Sequence, residues 1–137
     1  MILPLCASDP LDVFEGALAG AVPELRWHDG AAVTVVMAAP GYPDTPRTGH
    51  EIGGLAAAEA TGCQVFTAGV RRADDGRLLT AGGRVLNVTG TGPTVAAAAE
   101  TAYRGLAEVT FEGAQWRSDI GRGPAAVTAA VGQGVVL

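Results

Sequence analysis

Residues 78–89, LLTAGGRVLNVT, contain two adjacent glycines in a sequence that otherwise predicts a β-strand. Glycine weakens the interior of a strand, so Gly82 and Gly83 predict a β-bulge or a point where another group approaches the backbone closely. Arg84 follows directly, and an arginine beside exposed backbone N–H groups suits a phosphate or a carboxylate. The spacing alone favours the simpler interpretation, which is a tight bulge followed by a surface arginine.

The segment near the N-terminus predicts the first of two main helices. Asp9 can cap this helix, and Pro10 suits its first position. Leu11, Phe14 and Leu18 recur at helical spacing and therefore share one face. This face is expected to be the apolar side of the helix.

The second main helix is predicted to run from the Thr94 cap to about Glu108, and a short helix is predicted over residues 55–60. The stretch VTGTGPTVAAA, residues 88–98, resembles the strand–glycine–helix start of a dinucleotide site. Its third glycine position, however, holds Val95. A strand–turn–helix junction without a ligand is therefore the favoured interpretation.

The remaining apolar segments predict strands. Residues 25–28 and 31–37 flank the Asp-Gly pair at 29–30, which is typical of a two-residue hairpin turn. Further strands are predicted over residues 63–70 and from residue 109 to 111, and residues 78–89 predict one or two strands around the glycine pair. Strands followed by a helix and another strand, without regular βαβ alternation, predict an α+β domain with a mostly antiparallel sheet.

Residues 39–54, APGYPDTPRTGHEIGG, predict a long loop because proline and glycine are frequent in them. Long loops in compact domains are often functional, so the segment around Tyr42 is a second candidate element. His50 in this loop and His28 have no partners at ligand spacing, so no metal site is predicted.

The composition limits the class of protein. The 137 residues are 48% hydrophobic and 17% charged, which predicts one globular domain. The net charge of −5 argues against nucleic acid or an anionic membrane as a main partner. All basic residues are arginine, which excludes chemistry that needs a lysine amine. Cys6 and Cys63 have no zinc-type spacing, and no apolar run approaches about 20 residues, so a cytoplasmic location is expected.

Four segments occur in the order and spacing of a known family. They are AAVTVVMAAPGYPD (31–44), VFTAGV (65–70), DGRLLTAGGRVLNVTGTGPTVAAAAETAY (75–103) and FEGAQWRSDIG (111–121). Together they resemble the C-terminal domain of phosphoribosylamine–glycine ligase, also called glycinamide ribonucleotide synthetase, of the ATP-grasp superfamily. The resemblance assigns residues 1–121 to this domain and leaves residues 122–137 as a tail of unknown role.

The resemblance implies a fold and a function. The fold is a rudimentary barrel-sandwich hybrid packed with helices, and the reaction is the ATP-dependent joining of glycine to 5-phosphoribosylamine in purine biosynthesis. Arg84 is implied to bind the substrate phosphate, with Gly82 and Gly83 permitting its close approach. Tyr42 is implied to line the cleft. No catalytic or metal-binding residue is implied for this chain, because ATP and Mg²⁺ are used by the full enzyme.

The resemblance also implies partners and leaves two hypotheses open. The partners are an ATP-grasp domain, on the same or a separate chain, and phosphoribosylamine or glycinamide ribonucleotide. In the first hypothesis the chain is the substrate-side domain of the ligase and is not active alone. In the second it is a stand-alone, non-catalytic binding module whose exposed apolar face leads to self-association or partner binding. The family often has histidine where this chain has Thr67.

Overall fold

The computed structural model describes residues 2–21 and 23–122. In chain order, after a 3₁₀ turn at Leu3–Leu5, the elements are α1 (Pro10–Leu18), β1 (Ala31–Ala38), α2 (Leu55–Ala60), β2 (Gln64–Thr67), β3 (Val70–Arg72), β4 (Leu78–Thr80), β5 (Arg84–Gly92) and α3 (Val95–Glu108). The predicted α+β class is confirmed.

Two antiparallel sheets organise the described residues. One has three strands in the order β1-β5-β2, and the other is the β3-β4 hairpin. Within the described part of the chain these strands do not close into a barrel. The central strand β5 lies between β1 and β2, so residues 84–89 of the stretch quoted at the outset lie in the middle of the larger sheet.

Helix α3 covers one face of the three-stranded sheet and forms the core with it. Ala98, Ala102 and Leu106 of the helix are buried, and Met37 and Leu86 of the sheet are buried beneath them. Thr94 caps the helix by accepting a hydrogen bond from the Ala97 N–H. The predicted strand–turn–helix connection is present, from β5 through residues 93–94 to α3.

Glycines of β5 permit the close contact between α3 and the sheet. A Cβ placed on Gly90 would lie 2.2 Å from the Ala98 carbonyl oxygen and 2.4 Å from the Ala102 nitrogen. A Cβ on Gly92 would lie 2.9 Å from the Ala97 Cβ. The glycines that resembled a nucleotide motif therefore serve helix packing.

The predicted bulge exists, but it is not at the glycine pair. Met37 of β1 pairs with Leu86 and Ala38 pairs with Arg84, so Val85 has no partner on β1 and is the bulged residue. Gly82 and Gly83 precede β5 and form the bend that joins it to β4. Of the one or two strands predicted around the glycine pair, the structure has two, because the chain changes sheet at this point.

The hairpin predicted around residues 29–30 was wrong. Strand β1 pairs with β5, whereas residues 25–28 lie beside the N-terminal segment, where the His28 N–H donates to the Leu5 carbonyl oxygen at 2.8 Å. Strand β5 offers all eight residues of β1 a partner, and its Leu86 and Val88 share the core with β1. A four-residue segment cannot bury a comparable apolar area.

Two other predicted strands are shorter than expected. The strand over residues 63–70 is divided into β2 and β3 at Gly69, whose Cβ would lie only 2.7 Å from the Arg84 carbonyl oxygen. The strand from residue 109 to 111 is reduced to a single bridge between Gly53 and Thr110. At Gly69 the close approach of the Arg84 backbone accounts for the interruption.

The apolar face predicted for α1 lies in solvent. Asp9 caps the helix by accepting from the Leu11 N–H, as predicted. Leu11, Phe14 and Leu18, however, are 62%, 63% and 89% exposed. The helix therefore forms from local signals and does not bury its apolar side against the rest of the described chain.

Tyr103 of α3 holds the last described segment. Its hydroxyl donates to the Arg117 carbonyl oxygen at 2.8 Å and accepts from the Ile120 N–H at 3.0 Å. The Arg122 guanidinium lies 3.9 Å from the ring centroid, which is a cation–π distance. The predicted tail begins at this arginine, and residues 123–137 lie outside the described residues.

Within residues 2–21 and 23–122, no helix is both long enough and apolar enough to span a bilayer.

Candidate functional site

A cleft of about 610 Å³ lies where the loop over residues 39–54 meets the start of β5. Its lining residues are Tyr42, Pro43, Pro46, Ala68, Gly69, Gly83, Arg84 and Asn87. Three of the four residues predicted as substrate-binding therefore share one cleft. The fourth, Gly82, lies next to it in the chain but is not among the lining residues. Substrate binding by these residues stays a prediction.

Arg84 is the cation of this cleft. It is exposed at the first position of β5, with its side chain beside the cleft. None of the ion pairs found in the described part of the chain includes it. A guanidinium presents five N–H donors in a planar fork, so Arg84 is available to bind a phosphate or a carboxylate.

Two other arginines already have carboxylate partners. The Arg77 guanidinium lies 2.7 Å from the Asp75 carboxylate and holds the pKa of that carboxyl below its usual range. Arg117 likewise bonds Asp119 and lowers the pKa of its carboxyl. Neither pair lines the cleft, and their charge is neutralised locally.

Gly83 allows the loop to close on the strand. A Cβ on Gly83 would lie 2.6 Å from the Tyr42 Cδ2 atom and 3.1 Å from the Pro46 Cγ atom. The Ala39 N–H donates to the Gly83 carbonyl oxygen at 2.8 Å. The close approach predicted for this glycine is therefore made, in this structure, by the ring of Tyr42.

Gly82 has a different neighbour. A Cβ on Gly82 would lie 3.2 Å from the Gly69 Cα atom, and a Cβ on Gly69 would lie 2.7 Å from the Gly82 Cα atom. The two backbones cross here, and the Ala81 N–H donates to the Gly69 carbonyl oxygen at 2.7 Å. Ala68 and Gly69, beside this close approach, line the cleft together with Tyr42.

The loop that carries Tyr42 is held at several points. The Thr45 N–H donates to the Gly41 carbonyl oxygen at 2.9 Å, and the Gly49 N–H donates to the Thr80 carbonyl oxygen at 2.8 Å. Farther along the loop, the His50 Nδ1 atom lies 3.2 Å from the Glu112 Oε2 atom. Backbone bonds thus fix the loop that forms one wall of the cleft.

Asn87 is the polar lining residue that the sequence did not indicate. It lies three positions after Arg84, and strict strand alternation would place the two side chains on opposite faces. The bulge at Val85 removes this difference in face. The sequence around Val85 contains no residue that marks a bulge there rather than at the preceding glycine pair, so a single sequence does not indicate that Asn87 and Arg84 share a face.

Metal-ligand chemistry does not fit the described residues. No group of three or more His, Cys, Asp or Glu side chains within them is close enough to hold a metal ion. The donor set of the cleft is a guanidinium, a carboxamide and a phenol, which are groups that bind anions and hydroxyls.

Comparison with known families identifies the domain. The sequence model described as "Phosphoribosylglycinamide synthetase, C domain" matches residues 32–123, about two thirds of the chain. The chain belongs to this family. Every residue that lines the cleft lies within the matched range.

Similar proteins give the same family. The chain is 52% identical over 97 residues to a phosphoribosylamine–glycine ligase of Synechocystis, a match that covers 71% of this chain and 23% of the relative. It is 46% identical over 124 residues to the trifunctional purine biosynthetic protein adenosine-3 of Bos taurus, covering 88% and 12%. The chain thus spans about a quarter of the length of the single-function relatives it matches.

A solved structure shows the same fold. The crystal structure of phosphoribosylamine–glycine ligase from Thermotoga maritima matches with a TM-score of 0.64 at 41% sequence identity. The match covers 78% of this chain and 26% of that one. The synthetase C-domain family therefore accounts for both the sequence and the α+β architecture.

Proposed function

We propose that the chain is the substrate-side domain of an ATP-dependent ligase that joins glycine to 5-phosphoribosylamine in purine biosynthesis. The observation that carries this proposal is Arg84, a cation without an ion-pair partner among the described residues, in a cleft that lies within the family match. The names of the relatives supply the reaction, and their greater length supplies the remaining parts of the enzyme.

The domain's own residues bind substrate and do not make bonds. In the proposed reaction, the glycine carboxylate is first phosphorylated by ATP. The phosphoribosylamine nitrogen then forms a bond to the carbonyl carbon, phosphate leaves, and the nitrogen loses a proton. Arg84 would hold the ribose phosphate and so fix the position of the attacking amine. ATP is assigned to the rest of the enzyme, since this chain contains no lysine to bind its phosphates. Mg²⁺ is assigned there with it, since no cluster of three or more potential metal ligands occurs within the described residues.

Kinetics of a full-length ligase that carries this domain test the role of Arg84. A hydrogen bond to a charged group contributes about 1.5–3 kcal/mol, so Arg84→Ala should raise the KM for phosphoribosylamine about 10-fold to 150-fold. The KM for ATP should not change. Arg71→Ala is the matched control, because Arg71 is exposed on β3 and does not line the cleft. Unchanged KM and kcat for the Arg84 variant would refute the assignment.

The same proposal assigns no ligase activity to these 137 residues by themselves. The nucleotide and its metal would be held elsewhere, so the chain should bind substrate without turning it over. Glycine-dependent formation of ADP by the purified chain is the measurement, and a rate above the background without enzyme would contradict this part of the proposal.

The exposed face of α1 supports a second role as an interaction surface. Leu11, Phe14 and Leu18 present a continuous apolar face to solvent, and Trp27 is 50% exposed in the same N-terminal part of the chain. Since the match covers only 23% of the Synechocystis relative, we assign the surface to contact with the ATP-grasp part of the ligase. Self-association of the chain through the same face is the alternative, and sedimentation of the chain alone distinguishes the two.

A further inference from the structure

We infer that Asn87 is a specificity-determining residue of the cleft, where it recognises hydroxyl groups of the ligand whose phosphate Arg84 binds. The inference rests on the proposed function, because it takes Arg84 as the phosphate-binding group. It extends that function to a residue that neither the sequence patterns nor the family resemblance indicates.

The bulge at Val85 brings the two polar side chains to one face of β5. Arg84 pairs with Ala38 and Asn87 pairs with Val36. Ala38 and Val36 are two positions apart on β1, so their partners on β5 point to the same side of the sheet. Re-aiming a side chain is a common effect of bulges beside functional sites. Without the bulge, Arg84 would project from the opposite face.

The neighbours of Asn87 leave its amide available to a ligand. Its cross-strand partners are Val36 and Phe66, which are apolar and only partly covered, at 38% and 42% exposure. No hydrogen bond joins the Asn87 side chain to another group in residues 2–21 and 23–122. By contrast, Thr89 on the same face bonds Thr34, with 2.8 Å between the two hydroxyl oxygens. Asn87 is therefore a half-buried amide that lines a cleft without a protein partner.

The chemistry of the amide selects the ligand class. A carboxamide presents one accepting oxygen and two N–H donors, and a sugar hydroxyl both donates and accepts. Because of the bulge, Arg84 and Asn87 are separated by about two residue rises, or roughly 7 Å. This separation suits a ligand longer than inorganic phosphate, and a phosphorylated pentose carries its phosphate and its ring hydroxyls on opposite ends. A small sugar phosphate is the ligand class that fits.

Calorimetric titration of the purified 137-residue chain tests the inference. The probes are ribose 5-phosphate, inorganic phosphate and ribose. Asn87→Ala should weaken ribose 5-phosphate binding about 5-fold to 10-fold and leave inorganic phosphate binding unchanged. Arg84→Ala should weaken the binding of both ribose 5-phosphate and inorganic phosphate. Gln64→Ala is the matched control, since Gln64 is exposed on the same face but does not line the cleft.

A second variant guards against a folding artefact. Asn87→Asp keeps the size of the side chain but replaces the N–H donors and adds a negative charge. It should therefore weaken the binding of both phosphate-containing ligands more than Asn87→Ala does. Equal affinity of the wild-type chain for ribose 5-phosphate and inorganic phosphate would overturn the inference and leave the Arg84 assignment standing. Equal losses for both ligands in Asn87→Ala would also overturn it. Failure of the wild-type chain to bind either ligand would overturn it too, while the ligase kinetics of Arg84→Ala would still judge the proposed function separately.

Discussion

Replacing Gly90 with alanine places a methyl group between β5 and α3. The new Cβ would lie 2.2 Å from the Ala98 carbonyl oxygen and 2.4 Å from the Ala102 nitrogen, whereas ordinary contact begins at 3.4 Å. Both opposing atoms belong to the backbone of α3, so no side-chain rotation can relieve the overlap. The helix must move away from the sheet by about 1 Å, which loosens the packing around Leu106.

The size of the effect follows from this geometry. Overpacking of a core costs about 1–3 kcal/mol, and a contact between two backbones belongs at the upper end of this range. We therefore expect Gly90→Ala to lower the free energy of unfolding by about 3 kcal/mol. For a domain of this size the melting temperature should fall by roughly 10 °C. Gly90 has no positive φ, so backbone strain adds nothing to this value.

Thermal and urea unfolding, followed by circular dichroism, measure the effect. The control is Gly76→Ala, because Gly76 has a φ of +87° and no heavy atom within 4 Å of the added Cβ. This control isolates the cost of a left-handed backbone, which is about 1–2 kcal/mol. A loss for Gly90→Ala that is no larger than the loss for Gly76→Ala would show that α3 does not press on β5 as described.

The remaining predictions concern the exposed charge pair of the β3–β4 hairpin and the apolar face of α1. Because Arg77 lowers the pKa of Asp75 from 3.8, the pair stabilises the fold above that value, and its contribution is lost as the pH falls through the lowered pKa. The stability difference between wild type and Arg77→Gln should therefore be present near pH 6 and decrease as the pH falls below 3.8. Thermal unfolding against pH measures it, and a difference that grows on acidification contradicts the reasoning. The double variant Phe14→Ser, Leu18→Ser should weaken association with a separately prepared ATP-grasp part about 10-fold or more, measured by sedimentation velocity. The matched control Val95→Ser, at an exposed apolar site on α3, should not weaken it, and equal effects of the two changes would remove α1 from the interface.

Local signals explain which elements the sequence predicted well. The caps at Asp9 and Thr94 define the starts of α1 and α3 because each side chain bonds an N–H two or three residues away. The short helix α2 was also predicted at its observed bounds, since its alanine-rich sequence lies between loop residues. These elements need no knowledge of the distant chain.

Long-range pairing explains the errors. Residues 25–28 and 31–37 look like a hairpin locally, yet β1 gains a longer and more apolar partner in β5. The strand predicted over residues 63–70 is interrupted at Gly69, where the Arg84 carbonyl oxygen lies too close to the backbone to leave room for a side chain. In both cases the competing segment lies at least 14 positions away, so the local sequence contains no sign of it.

The sequence by itself determined the α+β class, the family resemblance and the candidate residues Arg84, Gly83 and Tyr42. These depend on residue types in order along the chain, which a sequence displays directly. Only the tertiary structure decided that Tyr42 packs on Gly83, that the glycine pair bends between two sheets, and that Asn87 joins Arg84 in the cleft. The physical reason is the pairing register of β1 and β5. Val85 has no partner on β1, and this one-residue shift places the Arg84 side chain on the face that carries Asn87.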